Sequence, residues 1–322
     1  GNLPSIAKAQ RLLLELGPRR GYFPEPEKSI LITPPTTPPS ALDALHEFNF
    51  HHSTGSRYLG GFVGTVTDEA NWIEPQISQW IAGVEALSKV ARRYPQTAYA
   101  GLAKSLQAEW QYVQRVTPNL TQAFAPLEMA ISQVFLPALL NSSIEEAMQL
   151  RPLIALPARN GGLGILDPTT TNDHCYSAST NITSLLTESL IHGTPLCALE
   201  HRKTAATGRL EAKDHLRQTH DHQLATIIAT ATPFDKRRIK RSASTGAWLT
   251  TLPNLLNGSD LSADEFRDGV RLRLGMQPTA LPPARCDGCA ERFTIEHAMS
   301  CRKGGLILQR HNDLVTTWGQ LC

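Results

Sequence analysis

Residues 72–94 read Trp72-Ile73-Glu74-Pro75-Gln76-Ile77-Ser78-Gln79-Trp80-Ile81-Ala82-Gly83-Val84-Glu85-Ala86-Leu87-Ser88-Lys89-Val90-Ala91-Arg92-Arg93-Tyr94. Ile73, Ile77, Trp80, Ile81, Val84, Leu87 and Ala91 recur at intervals of three and four, the period of a helix with one buried face. The spacing predicts an amphipathic helix to about residue 94, broken by Pro95. Tyr99, Leu102, Leu106, Trp110 and Val113 mark a second helix that ends before Pro118, and Phe124, Leu127, Ile131, Val134 and Phe135 mark a third. Ser143 with Glu146 forms the capping-box signature of a fourth. Short, proline-containing connections favour antiparallel packing, so this stretch predicts a helical bundle with Trp80 and Trp110 in its core.

Upstream, the pattern differs. Residues 4–16 read as a short helix stopped by Gly17, and Ser29–Thr33 is short and apolar enough for a strand. Pro34-Pro35-Thr36-Thr37-Pro38-Pro39 must be a loop, and Arg57–Gly64 is a second strand candidate whose three glycines point to bends or a close backbone approach. Downstream of the bundle, Arg159–Ile165 is a glycine-rich turn; it lacks the lysine of a phosphate-binding loop. Helical patterns resume at 172–192 and 205–231, then at Ala243–Leu252 and Ala263–Leu274. The expected fold class is therefore mainly α, with a small α+β portion at the N-terminus.

Composition narrows the classes. Lys and Arg number 31 against 29 Asp and Glu, a net charge of +2, which excludes a generally polybasic protein but not local basic patches. With 41% hydrophobic residues the chain can bury a sizeable core, which excludes wholesale disorder. No run approaches eighteen apolar residues, so no membrane helix is expected, and Leu12-Leu13-Leu14 is too short for a signal-peptide core. The expected location is intracellular, nuclear or cytoplasmic. Because the sequence begins at Gly1 and stops at Cys322 just after a helix-like run, it reads as an excerpt from a longer polypeptide.

Two local constellations carry chemistry. Cys286-x2-Cys289-x7-His297-x3-Cys301 sets two thiols on one tight turn and a His/Cys pair four residues apart, on one face if helical. Three sulfurs and an imidazole suit zinc, and four protein ligands leave no open position, so the expected ion is structural; the alternative is a set of reduced, buried thiols. Cys322 is a further thiol with no fixed distance from this cluster. Separately, Lys236, Arg237, Arg238, Lys240 and Arg241 are five of the seven residues Asp235–Arg241, within a stretch 202–241 holding ten Lys and Arg against four acids. Such a patch either neutralises phosphates or is a solvated helix face. His215, His220 and His222 lack a completing ligand and read as exposed helix, and His174-Cys175 has no partner visible in the sequence.

Motif order adds a resemblance. Tyr22–Ser29 followed by Arg57-Tyr58-Leu59-Gly60-Gly61-Phe62-Val63-Gly64 resembles the end of the palm of a non-LTR (LINE-like) retrotransposon reverse transcriptase. Leu156–Ile165 resembles a segment that follows the thumb in those proteins, and the Cys-Cys-His-Cys cluster followed by Arg310-His311-Asn312 looks like the entry to a restriction-like endonuclease. The resemblance implies that 1–70 is a palm remnant with a primer-grip-like hairpin and 71–155 a helical thumb. It further implies a helical connector with a basic patch at 156–280, and a zinc knuckle with the start of an endonuclease region at 281–322. Lys28 would then assist departure of pyrophosphate, and Arg57, Tyr58, Leu59, Gly60 and Gly61 would approach the primer strand.

In that family two magnesium ions are held by aspartates upstream of the stretch matching residues 1–33, and the endonuclease acids lie downstream of Arg310-His311. Three residues separate His297 from Cys301 where related proteins often have four. The expected function is accordingly nucleic-acid binding: a fragment of an RNA-directed DNA polymerase that holds an RNA/DNA template–primer, incomplete for catalysis by itself. No membrane partner and no small-molecule substrate site is expected. The rival from another class is a zinc-stabilised helical scaffold that binds a second protein.

Overall fold

The computed structural model describes residues 3–280, 282–303 and 306–321; Cys322 lies outside them. The chain is 69% helical with few strands, which makes its architecture mainly α. Helix α1 (Leu3–Leu16) ends where the Gly17 amide donates to Leu13 O at 2.9 Å. It packs on 3-10 turns spanning Pro39–Phe48, and Ala7, Leu45 and Phe48 form a small core of their own. Strands β1 (Ile30–Ile32) and β2 (His51–Ser53) pair in parallel.

The strand candidate at 57–64 lies within a hairpin, β3 (Gly55–Tyr58) against β4 (Gly61–Gly64), with the turn inside the run read as one strand. Leu59 and Gly60 connect the strands with φ of 47° and 84°, the left-handed pair that a two-residue turn needs to match strand twist. Glycine carries the second position without strain; the leucine does not.

Helix α2 (Val66–Ala91) begins six residues earlier than periodicity indicated. The Thr65 side chain caps it by accepting from the Asp68 amide, a polar signal outside the apolar pattern. Helices α3 (Pro95–Gly101) and α4 (Gln107–Val116) are joined through a π-helical turn at Leu102–Leu106, and α5 (Ala125–Ala130) and α6 (Leu136–Leu140) through another at Ile131–Phe135. Pro95 therefore starts a helix as well as ending one, consistent with its fixed φ at a first turn. The capping box Ser143/Glu146 opens α7 (Ile144–Ala155).

Trp80 meets Trp110 edge-on at 6.2 Å and stacks on Phe124 at 6.1 Å, so both tryptophans are core residues. Helices α8 (Pro168–His192) and α9 (Ala198–Thr230) form a long hairpin, followed by α10 (Pro233–Ser244), α11 (Ala263–Leu274), α12 (Ile295–Ser300) and α13 (Leu306–Leu321). Among the described residues no single helix is long and apolar enough to cross a membrane. The helix expected at 243–252 is absent. The chain leaves α10 at Ser244 and makes a 3-10 turn at Ala247–Thr250, with Gly246 so close to Ala158 and Arg273 that a side chain there would crowd both.

One apolar core runs from Ile73 to Ile165 and on to Ile239, Leu249, Phe266, Val270 and Leu274, passing the 155/156 junction without a break. The glycine-rich segment is a strap folded into this core. Tyr99 Oη donates to Leu163 O at 2.7 Å, Gln107 Nε2 to Gly164 O at 3.2 Å, and the Leu166 amide to Gln107 Oε1 at 2.9 Å. Burial pushes the Tyr99 hydroxyl up to about 12, partly offset by Arg273, so it stays a donor.

From the other side, Arg273 donates to Ala158 O at 2.6 Å, Gly162 O at 3.1 Å and Ser242 O at 2.6 Å. Arg267 and Arg271, on the same helix, donate to the carbonyls of Ala91 and Arg92 and of Leu140 and Asn141. Cations thus meet the orphan carbonyls at three helix C-termini, where the dipole favours positive charge. They also fix α10 against the bundle.

Candidate metal centre and cationic helix face

The C-terminal cysteines sit on a small turn closed by an antiparallel bridge between Arg285 and Arg292. The Cys286 amide donates to Glu291 O at 2.9 Å and the Ala290 amide to Cys286 O at 2.8 Å, with Ala290 at φ 64°. This tight reversal brings the two thiols of Cys-x2-Cys to one side. Thr294 then caps α12 by accepting from the His297 amide at 3.0 Å, and the Cys301 amide donates to His297 O at 2.7 Å. One helical turn therefore carries His297 and Cys301 back over the cysteine turn.

The resulting donors are Sγ of Cys286, Cys289 and Cys301 and one ring nitrogen of His297, all within 4.8 Å of one another. Cys286 and Cys289 each lie 3.7 Å from Cys301, sulfur to sulfur, and Cys289 Sγ is 3.1 Å from His297 Nε2. Sulfurs bound to one tetrahedral ion at about 2.3 Å stand about 3.8 Å apart, whereas a disulfide holds them at about 2.0 Å. The spacing is that of ligands around an ion.

Amides of Gly288 and Cys289 pull the Cys286 thiol down. At Cys289 the Glu291 amide pulls down too, but desolvation and the neighbouring thiols of Cys301 and Cys286 outweigh it and push the group up. Three sulfurs this close resist joint ionisation; a divalent cation removes that cost. These four residues could hold a metal ion, the donor set is compatible with structural zinc, and four protein donors would leave no position for substrate.

The basic run lies on α10, and the helix sorts its residues. Ile239 and Ser242 are buried, while Lys236, Arg237, Lys240 and Arg241 are exposed. Arg238 departs from the expected phosphate-binding set. Its guanidinium donates to Asp235 at 3.0 and 3.2 Å and to the Arg273 carbonyl, with the side chain only 14% exposed. It lies next to the buried edge of the helix, so its charge is spent holding α10 to α11. Asp235 is in turn held low, first by Thr232 and then by Arg238. Exposed Arg285, Arg292, Arg302 and Lys303 surround the cysteine turn. Reading that segment for ligands alone passed over them, although they flank the cysteines directly.

The N-terminal site residues named from the resemblance sit on the β3–β4 hairpin and beside the α1 region. A side chain at Gly60 would come 2.8 Å from Tyr112 and one at Gly61 2.9 Å from Val116, so these glycines admit α4 rather than an open channel. Tyr112 Oη donates to Leu59 O at 2.5 Å and locks the hairpin there, leaving Arg57, Tyr58 and Leu59 exposed at its tip. Lys28 pairs with Glu25 at the rim of a cavity of about 310 Å³ that Glu27 and Glu47 also line. Glu47 is itself paired with Arg11, so the direct partner of the Lys28 ammonium is Glu25.

The histidines are also partly re-placed. His220, expected to be exposed, is buried with Nδ1 unpartnered, and burial, followed by the nearby Arg159 charge, lowers its pKa. His215 meets His174 across the hairpin, Nδ1 to Nδ1 at 3.1 Å with rings 12° apart. The two imidazoles form a pair to which, among the described residues, no third His, Cys, Asp or Glu donor is added, so they do not make a metal cluster of the kind the cysteines make. Comparison of the chain with protein-family models, with curated proteins and with solved structures finds no match.

Proposed function

We propose that this chain is a nucleic-acid-binding module, mainly helical, whose C-terminal segment is built on a structural zinc ion. The assignment follows the resemblance to the end of the palm, the thumb and the pre-endonuclease region of a non-LTR retrotransposon reverse transcriptase. In it the bundle beginning at α2 holds a template–primer by its backbone, and the face of α10 grips phosphates. The single observation that carries it is the solvent side of α10, where Lys236, Arg237, Lys240 and Arg241 stand together. Positions i, i+1, i+4 and i+5 share one helix face, and cations so gathered repel unless a polyanion joins them.

Replacing all four by glutamine removes the grip and leaves the buried side of α10 untouched. Affinity for RNA at low salt then falls by up to about a thousandfold, taking at most about 1 kcal/mol for each of the four phosphate contacts. Unchanged affinity in a filter-binding or anisotropy titration contradicts the assignment.

The zinc has its own test. Residues 284–303 bury too little apolar surface to hold their fold without an ion. Chelation should open them to trypsin at Arg285, Arg292 and Arg302, while the circular dichroism of the helical core stays largely intact. Equal resistance with and without chelator would show that the cysteine turn stands on its own.

A further inference from the structure

Helix α10 exposes one more residue that its charge does not account for. At about 100° per residue, the exposed arc of α10 runs from Lys236 through Lys240, Ser244, Arg237 and Arg241 to Phe234, about 160° in all. Phe234 is 52% exposed, and it sits three residues before Arg237 and seven before Arg241, on the same stripe. On that arc it is the one aromatic side chain, beside four cations; the other apolar residue there is Pro233, at the first turn.

We infer that Phe234 is a base-stacking platform, and that the ligand of this face is a single-stranded segment of RNA or DNA. The inference rests on the nucleic-acid reading above and narrows it. Cations alone serve a duplex as well as a single strand, because both present phosphates. A phenyl ring serves only the second. In a duplex each base has both faces covered by its neighbours, and a ring beside the backbone meets sugar and phosphate. An unpaired base offers a free face, and a phenylalanine flanked by arginines on a phosphate-binding stripe can receive it. A protein-docking residue, by contrast, sits among other apolar side chains, whereas the neighbours of Phe234 on this arc are charged.

The test uses the zinc-loaded full chain with two probes, a short oligothymidylate and an abasic strand of equal length and charge. The wild-type protein is expected to bind the thymidine strand more tightly. Phe234→Ala is expected to lower affinity for that strand by about five- to a hundredfold, the range set by one base–aromatic stack, and to leave the abasic strand unchanged. Phe234→Trp should retain the preference.

Salt-sensitive binding of both strands that Phe234→Ala does not alter would overturn the stacking role and leave phosphate binding standing. Equal loss on both strands would also overturn it, since the ring would then act on the shape of the helix. Failure of the wild-type chain to bind either strand would remove this inference together with the reading it rests on.

Discussion

Arg151→Met lowers the stability of the chain by about 3–5 kcal/mol at neutral pH, measured as a shift in denaturant midpoint. Arg151 on α7 donates to both oxygens of Glu128 on α5, at 2.6 and 2.7 Å, and to the carbonyls of Ile165 and Leu166. Their side chains are 9% and 17% exposed. Methionine fills the volume but leaves a buried carboxylate without a countercharge, and it frees two strap carbonyls.

The pH dependence follows with a definite sign. Desolvation raises Glu128 above its ordinary 4.5, while Arg151 pulls it down. A folded-state pKa above the unfolded value means stability falls as pH rises through that window. Without Arg151 the pKa climbs further, so the deficit of the variant shrinks as pH drops toward 4.5 and Glu128 becomes neutral. Adding Glu128→Leu to Arg151→Met should recover much of the loss, because no buried charge remains. A deficit below about 1 kcal/mol, independent of pH, would mean the pair is solvated.

Gly162→Ala has an effect of similar size for a steric reason. A methyl group there would fall inside the van der Waals envelope of the carbonyl oxygens of Leu156 and Leu153. Those carbonyls belong to the end of α7, over which the strap turns back; the Gly164 amide donates to Leu156 O at 2.8 Å. Leu153 O accepts from the Leu156 amide and Leu156 O from the Gly164 amide, so neither oxygen can move without breaking a hydrogen bond. The expected cost is upwards of about 4 kcal/mol, enough to leave little folded protein. Gly164→Ala is the control: it meets open space and pays only for φ of 70°, about 1–2 kcal/mol. Equal, small losses at both positions would place the strap away from α7.

Local signals carried much of this fold. The capping box at Ser143 and Glu146 marks the first turn of α7, and α11 runs Ala263–Leu274 as its apolar spacing indicates. The Cys286, Cys289, His297 and Cys301 spacing is also local, since one turn and one helical turn suffice to gather the donors.

What stayed hidden depends on partners distant in sequence. The segment at 159–165 reads only as a glycine-rich turn because its backbone partners are side chains on α3, α4 and α11. The roles of Arg267, Arg271 and Arg273 depend on three helix ends that meet them from elsewhere in the sequence. The same blindness applied to Arg238, whose charge could be counted but whose side of the helix depended on where α11 lay. At Gly60 and Gly61 composition announced a close approach without saying that Tyr112 and Val116 were what approached.

The most direct measurement is the salt dependence of single-strand binding by the wild-type chain and by the variant with Lys236, Arg237, Lys240 and Arg241 all changed to glutamine. Each phosphate contact contributes a slope of about −0.7 to a plot of log K against log salt for single strands. A cationic face that grips phosphates predicts that the variant's slope is shallower by about 2–3. Two parallel lines, with the four charges gone and the slope unmoved, would contradict it.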